Sequence, residues 1–174
     1  MPSVIEDITR QLPIHYAESG VTVRLATQAD AIQVAKELRE EDRSEMKALL
    51  GVDTAMTVVL QRHVMEADIS LVLEKDKHPV AIFGVKQVCP NVSFIGLLSS
   101  PRIKDFKFTL CRHSKYWVDM FHKHSDLLLN VVHCDNNVHI QWLRWLGFKF
   151  INKLENFGSN GEDFYEFSKL KVSN

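Results

Sequence analysis

The clearest hydrophobic pattern lies in residues 126–148, where an apolar run passes through a polar turn into an amphipathic segment. Residues 127–134 are mostly Val and Leu, which is typical of a strand covered on both faces. Three side chains able to cap exposed helix amides follow: Asp135, Asn136 and Asn137. Three apolar side chains then share one face at three-residue spacing: Ile140, Leu143 and Leu146. Because Gly147 can take a left-handed conformation, the pattern predicts a strand, a cap, a helix and a stop.

Aromatic residues mark the two predicted helices of the second half of the chain. Trp142 and Trp145 widen the apolar surface of the late helix, and we expect both to pack against a sheet. Residues 106–124 also have helical spacing, with four side chains aligned: Leu110, His113, Trp117 and Phe121. Both helices are therefore predicted to cover a central sheet.

The first half begins with a predicted strand and three helices. Residues 21–26 alternate apolar and polar side chains, and Thr27 with Asp30 has the spacing of a capping box. The helix that follows has a predicted buried face: Ile32, Ala35 and Leu38. The charged run 39–45 is predicted to contain a break before a second helical piece that Gly51 ends. A third helix is expected to run to about Met65, with its cap at one of two residues: Asp53 or Thr54.

Three strands and a terminal hairpin complete the predicted elements. Residues 69–74 and 79–87 are apolar and β-branched, and the intervening KDKH suits a hairpin turn. A third strand is predicted at 92–99, and two more within 149–171 around the turn GSNG. We expect one domain over residues 21–174, with residues 1–20 as an N-terminal arm or docked helix.

Composition and charge narrow the functional classes. The 174 residues are 45% hydrophobic with a formal net charge of −1, which suits one domain with a core and leaves no electrostatic footprint for nucleic acid. No run approaches the roughly 18 to 20 apolar residues of a membrane span. The start of the chain lacks the basic and apolar regions of a secretory signal, so we expect synthesis in the cytosol.

Cysteine and histidine spacing does not indicate a disulfide framework or a metal site. Cys89, Cys111 and Cys134 are widely separated and contain no CxxC pair. His122 and His124 lie two apart on a predicted helix, so they point to different faces. We therefore expect reduced thiols and no bound metal.

The order of elements and the helix NNVHIQWLRWLGF resemble the GNAT superfamily of acyl-CoA-dependent N-acyltransferases. The resemblance implies an α/β (α+β) fold: a mixed, mostly antiparallel central sheet of about six or seven strands with a splayed parallel pair, flanked by about four helices. The tracts FIGLLSSPRIKDF and NVVHCDNNVHIQWLRWLGF are similar to GNAT-like internal virion proteins of short-tailed bacteriophages. That similarity implies a location in the host cytoplasm or the virion, and a virion or host protein as partner.

The resemblance also implies a site for acetyl-CoA or another acyl-CoA. In this fold the strand corresponding to 92–99 splays from its neighbour, so its backbone can bind the pantetheine arm. The implied cofactor-binding residues are Leu97, Leu98, Ser99, Ser100, Arg102, Lys104, Asn136 and His139. The loop SPRIKDF departs from the family pattern Arg/Gln-x-x-Gly-x-Gly/Ala because it has no glycine, but its basic and hydroxyl side chains offer charge and hydrogen bonds to phosphate.

The sequence identifies the catalytic residues less clearly than the cofactor-binding residues. Leu143 stands where the family frequently has a tyrosine, and an alkyl chain cannot protonate the departing thiolate. His133 and Asp135 lie near the carboxyl end of a central strand and are the candidate general bases. Several alternatives remain open: Glu155 or Glu166 as base, His133 or His139 as acid, and Cys134 as acid or nucleophile.

Three functions follow from these residues. The first is a phage GNAT-fold protein whose acyl-CoA site has degenerated and whose surface binds virion or host proteins. The alternative is an active acetyl-CoA-dependent N-acetyltransferase acting on a host protein or small amine. A nucleic-acid binder is disfavoured because the chain has no basic stripe outside residues 102–115.

Overall fold

The computed structural model describes residues 3–172. Its helices are α1 (Val4–Arg10), α2 (Gln28–Lys36), α3 (Glu40–Leu50), α4 (Met56–Glu66), α5 (Lys107–His122) and α6 (Asn137–Trp145). A 3₁₀-helical segment, Pro101–Phe106, precedes α5. The strands are β1 (Ile14–Tyr16), β2 (Val21–Leu25), β3 (Ile69–Lys75), β4 (His78–Cys89), β5 (Val92–Ser99), β6 (Leu127–His133), β7 (Lys149–Leu154) and β8 (Phe164–Leu170).

All of these strands form one sheet in the order β1-β2-β3-β4-β5-β6-β8-β7. Neighbouring strands are antiparallel except β5 and β6, which are parallel. Their register has three pairs, at Val92↔Leu127, Ser93↔Leu128 and Phe94↔Leu129, after which the strands diverge. The mixed sheet with a splayed parallel pair is therefore confirmed. The expected numbers of about six or seven strands and about four helices were too low, because the described residues form eight strands and six α-helices.

Two layers of helix cover the sheet. Helices α1, α5 and α6 pack on what we call the first face, in a core that includes Ile8, Trp117, Leu128 and Leu143. Helices α2 and α4 pack on the second face, against Val72 and Ile82. Helix α3 lies on the second-face side and reaches the open ends of β5 and β6. Within residues 3–172 no helix is long and apolar enough to cross a membrane.

Local sequence signals explain several element boundaries. The Thr27–Asp30 capping box is present, with the Thr27 N–H donating to Asp30 Oδ2 at 2.8 Å and the Asp30 N–H donating to Thr27 Oγ1 at 3.3 Å. Helix α6 buries the predicted face: Ile140, Leu143 and Leu146. The prediction for the tryptophans is right in part, since Trp142 is half-buried and contacts the core whereas Trp145 is exposed.

Other predicted boundaries differ from the structure. The run 39–45 contains no break, because α3 is continuous from Glu40 and the interruption lies at 37–39. Helix α4 has Ala55 at its N-cap with no side-chain cap, so the predicted caps at 53 or 54 are wrong. Within residues 3–20 the structure has helix α1, whose Ile8 is part of the core, and strand β1, which pairs with β2. The assignment of residues 1–20 as a separate arm or docked helix stays a prediction.

Candidate functional site

A cavity of about 790 Å³ passes through the gap between the diverging strands β5 and β6, which we call the notch. Helices α5 and α6 line its first-face part, with Leu110, Trp117, His139 and Trp142 among the lining residues. Helices α3 and α4 line its second-face part, with residues that include Met46, Leu49 and Val58. Between the two parts, Gly96, Leu97, Asn130 and Val131 border the notch. The cavity is therefore lined from both faces of the sheet, with the notch between its two parts.

The divergence of β5 and β6 leaves backbone groups of β5 turned toward the notch. The Ile95 carbonyl accepts from Asn130 Nδ2 at 2.7 Å, and the Ser99 N–H donates to Asp42 Oδ2 at 2.9 Å. Because backbone direction alternates along a strand, Leu97 presents its N–H and C=O to the notch as well. Neither group of Leu97 has a hydrogen-bond partner within residues 3–172. Leu97 therefore offers a donor and an acceptor to an extended ligand.

Helix α3 places two carboxylates at the wide end of the notch. Asp42 and Glu45 are three residues apart, and only 1% and 7% of their surfaces are exposed. Asp42 binds the β5 side through the Ser99 N–H, and its Oδ1 accepts from the buried Arg39 guanidinium at 2.6 Å. Glu45 Oε2 binds the β6 side, accepting from the His133 N–H at 3.0 Å and Asn136 Nδ2 at 3.0 Å. These acids take the place of the missing strand pairing.

The environment of Glu45 suits proton transfer. Burial raises the pKa of Glu45 to about 7, against opposing hydrogen bonds from Asn136 and His133. Glu45 lines the cavity, and both of its hydrogen bonds use Oε2, which leaves Oε1 unoccupied by them. A carboxyl group with a pKa near the working pH is the type of group that serves as a general base.

The first-face wall contains two buried polar atoms without partners among residues 3–172. These are His139 Nδ1 and Trp142 Nε1, on rings whose centroids are 5.8 Å apart. Burial lowers the pKa of His139 to about 4, so its imidazole is neutral at physiological pH. Both side chains line the cavity. Because buried polar groups are normally hydrogen-bonded, both atoms are available to a polar group that enters the cavity.

The expected phosphate loop has little free backbone. Ser99 and Ser100 are fully buried, Ser99 is bound to Asp42, and the Ser100 Oγ has no partner among the described residues. Arg102 is half-buried, while Lys104 is largely exposed and its Nζ lies 3.9 Å from Glu41 Oε1. Any anion at this loop would therefore depend mainly on the charge of basic side chains.

The structure brings together only some of the residues predicted from sequence. Leu97, Leu98 and His139 line the cavity, as does Leu143. The side chain of Asn136 caps α6 and binds Glu45. The assignment of the predicted residues to cofactor binding stays a prediction.

The predicted catalytic residues lie outside the cavity lining. His133 Nδ1 accepts from the Asp135 N–H at 3.1 Å, and its ring packs on Phe164. Of the alternatives, His139 lines the cavity, whereas three others do not: Cys134, Glu155 and Glu166. Their catalytic roles stay predictions.

Glu45 was not predicted from the sequence. It belongs to a charged run that has the appearance of a solvent-exposed helix, so the pattern carries no signal of its burial. Within residues 3–172 no group of three or more His, Cys, Asp or Glu side chains is arranged to hold a metal ion.

The architecture is similar to that of several solved structures, which include acetyltransferases. No family model matches the chain, and no curated protein sequence matches it. Ard1 from Thermoplasma volcanium superposes with a TM-score of 0.67 at 14% identity, covering 88% of this chain and 99% of that one. The ribosomal-protein-S5-alanine acetyltransferase of Vibrio fischeri gives 0.63 at 14% identity, covering 91% and 96%. The yncA protein of Salmonella typhimurium, described with its cofactor acetyl-CoA, gives 0.64 at 13% identity, covering 88% and 95%.

These likenesses establish the fold of the chain. It has a GNAT-like α+β fold, structurally similar to acetyltransferases, and the expectation drawn from the helix of residues 137–145 is confirmed at that level. The narrower similarity to internal virion proteins of phages stays a prediction.

Proposed function

We propose that this protein is an acyl-CoA-dependent N-acyltransferase that transfers an acyl group, acetyl in the simplest case, to a primary amine. The observation that carries the proposal is the cavity through the notch, which has the unpaired backbone of Leu97 at its centre and the carboxyl group of Glu45 at its wide end. This arrangement favours an active enzyme over a protein with a degenerate site. In a degenerate site, neither the cavity at the notch nor a buried carboxyl group with a raised pKa would be under selection.

The residues of the notch fit the pantetheine arm of an acyl-CoA. The Leu97 N–H and C=O can pair with its amides as an added strand would. His139 and Trp142 can bond to polar groups that enter from the first face, and Arg102 with Lys104 can supply positive charge to the phosphates. When bound, the acyl-CoA supplies a thioester whose carbonyl carbon is open to attack by an amine.

The side chains then have separate tasks in moving protons. Glu45 Oε1 takes the proton that the ammonium form of the acceptor must lose before the nitrogen can attack. The nitrogen forms the new C–N bond as the C–S bond of the thioester breaks, CoA leaves as a thiolate, and the second proton released by the nitrogen neutralises that thiolate. His139 lies one turn before Leu143 on α6, so its neutral ring can donate a hydrogen bond where the family's tyrosine hydroxyl is missing. Asp42 keeps the end of β5 in place by holding the Ser99 N–H.

The proposal is tested by binding and by turnover. Acetyl-CoA at a hundred times its dissociation constant should stabilise the protein by about 2.7 kcal/mol. Glu45→Gln should lower kcat/KM by about 10² to 10⁴ while leaving acetyl-CoA binding intact, because only the proton acceptor is lost. Glu40→Gln, at an exposed residue of the same helix and outside the cavity, is the matched control. Absence of a stability change at millimolar acetyl-CoA would refute the enzyme proposal.

One observation favours the second candidate, a phage-encoded GNAT-fold protein with a degenerate site and a virion or host protein as partner. The loop after β5 has no glycine and buries both of its serines, so it offers few amides to a diphosphate. This candidate predicts no acetyl-CoA binding, and the same titration therefore separates the two.

A further inference from the structure

We infer that the acceptor is a primary amine carried next to an uncharged, apolar group. This inference rests on the proposed function and concerns the second-face part of the cavity, on the side of the notch opposite the predicted phosphate loop and α5. The fold suggests an acyl-CoA as one substrate of the site but does not suggest the acceptor, whose chemical class is inferred from the second-face part of the cavity.

Much of the wall of the second-face part is apolar and is formed by α3 and α4: Met46, Leu49, Leu50, Ala55, Val58 and Val59. Polar side chains also line this part: Thr54, Arg62, His63, Glu66 and Lys86. Leu50 and Val58 are also 51% and 55% exposed, so the apolar surface continues to the rim of the opening. An apolar rim and wall stabilise an apolar substituent by removing it from water.

Charged side chains near the opening are already paired with one another. Arg62 Nε lies 3.3 Å from Glu66 Oε1, and Lys86 Nζ lies 2.6 Å from Glu66 Oε2. The three side chains together carry one net positive charge, which disfavours a second ammonium group on the acceptor. Because both cations share Glu66 and are exposed, they offer little to a carboxylate in competition with water.

Glu45 is the acid of the inner cavity that remains for the reacting amine. Asp42 is occupied by Ser99 and Arg39, whereas Glu45 keeps Oε1 free of hydrogen bonds to the described residues. The carboxylate of Glu45 therefore binds the single amino group of the acceptor. The apolar residues of α3 and α4 contact the apolar substituent next to that amino group. Two sources provide this chemistry: a free alkyl or arylalkyl amine, and a peptide whose first side chain is apolar.

The test compares amines of different charge on the intact protein with acetyl-CoA. 2-Phenylethylamine and a short peptide beginning with Phe should each exceed spermidine and a peptide beginning with Asp by about tenfold or more in kcat/KM. The better of the two apolar compounds identifies the source. Calorimetric titration of the same compounds with CoA present gives their affinities without turnover, and the order should be the same.

A change at the rim should alter this preference. Val58→Asp adds an acid to the opening at an exposed residue, so the ratio of 2-phenylethylamine to spermidine turnover should fall by about tenfold. Leu170→Asp, at an exposed residue outside the cavity, should leave the ratio unchanged.

The outcomes distinguish the two proposals. If acetyl-CoA stabilises the protein and spermidine or the Asp peptide is the preferred acceptor, the acceptor inference is overturned and the proposed function stands. If acetyl-CoA does not bind and no amine is acetylated, both are overturned.

Discussion

The carboxyl group of Glu45 is buried, and it borders the cavity. Its hydrogen bonds from the His133 N–H and Asn136 Nδ2 hold the side chain in place, while burial keeps its proton affinity high. The orientation of the Glu45 carboxyl group is therefore fixed before any ligand binds.

Glu45→Gln should change the pH dependence of stability. The folded-state pKa of about 7 lies above the ordinary value of 4.5, so ionisation of Glu45 opposes folding. The free energy of unfolding of the wild type should therefore fall between about pH 4.5 and 7, by roughly 3 kcal/mol. The neutral amide can still accept both hydrogen bonds and should remove this decline. Urea unfolding from pH 4 to 8 measures it; a parallel decline in the variant would show that Glu45 is not its source.

His139→Leu should separate stability from binding. The pKa of His139 is lowered to about 4, so the folded state resists protonation, and wild-type stability should fall as pH drops from about 6.5 to 4. Leucine cannot titrate and leaves no buried nitrogen unpaired, so the variant should lack this fall. It should also bind acetyl-CoA about tenfold more weakly through the lost hydrogen bond. Calorimetry measures the affinity; Cys111→Leu, at an exposed residue of α5, is the control. Unchanged affinity would exclude His139 from the binding site.

At the scale of the elements, much of the fold was predictable from the sequence. Apolar, β-branched runs on either side of a turn located β3 and β4, the Thr27–Asp30 pair located α2, and the apolar spacing of α6 identified its buried face. These signals are local, so they need no knowledge of distant residues.

The start of α3 and the role of its acids were not predictable. Asp42 and Glu45 look solvent-exposed until the divergence of β5 and β6 exposes backbone groups that they bind. Their burial depends on residues 57 and 88 positions away in the chain, which periodicity within a helix cannot reveal. Strand β1 is only three residues long and was likewise too short to give an alternating pattern.

Two glycines that face each other across β4 and β5 should respond differently to substitution. A Cβ at Gly84 would overlap the backbone carbonyl oxygen of Ile69 and lie 3.1 Å from Ser70 Cα, whereas the nearest atom to a Cβ at Gly96 is Asn130 Nδ2 at 4.0 Å. Gly84→Ala should therefore destabilise the protein by about 3 kcal/mol. Gly96→Ala should change stability by less than about 1 kcal/mol. Thermal unfolding compares the two variants, and equal losses would contradict the packing explanation.

At the scale of the whole molecule, the sheet has two parts. Strands β1–β5 and β6–β8 are each continuous, but between them the described chain has three register pairs, the side chain of Asn130 and the two acids of α3. The region between β5 and β6 is therefore where a ligand can add the most contacts.

Acetyl-CoA should connect the two parts more tightly. If it pairs with Leu97 and contacts α6, amide hydrogen exchange in residues 92–99 and 127–146 should slow in its presence. Peptides from β2 and β3 should not change, because these strands are already paired on both sides. Exchange followed by mass spectrometry makes the comparison, and uniform slowing across the sheet would contradict a site in the notch.

Asp42 and Glu45, in one turn of α3, bind the ends of both β5 and β6, and this has a consequence for how the sequence can evolve. If Glu45 is the base of the proposed reaction, Glu45→Gln would remove turnover and at the same time relieve an electrostatic cost of folding, so the inactive variant would be the more stable one. An acid kept at this position in related sequences would then indicate selection for turnover rather than for stability.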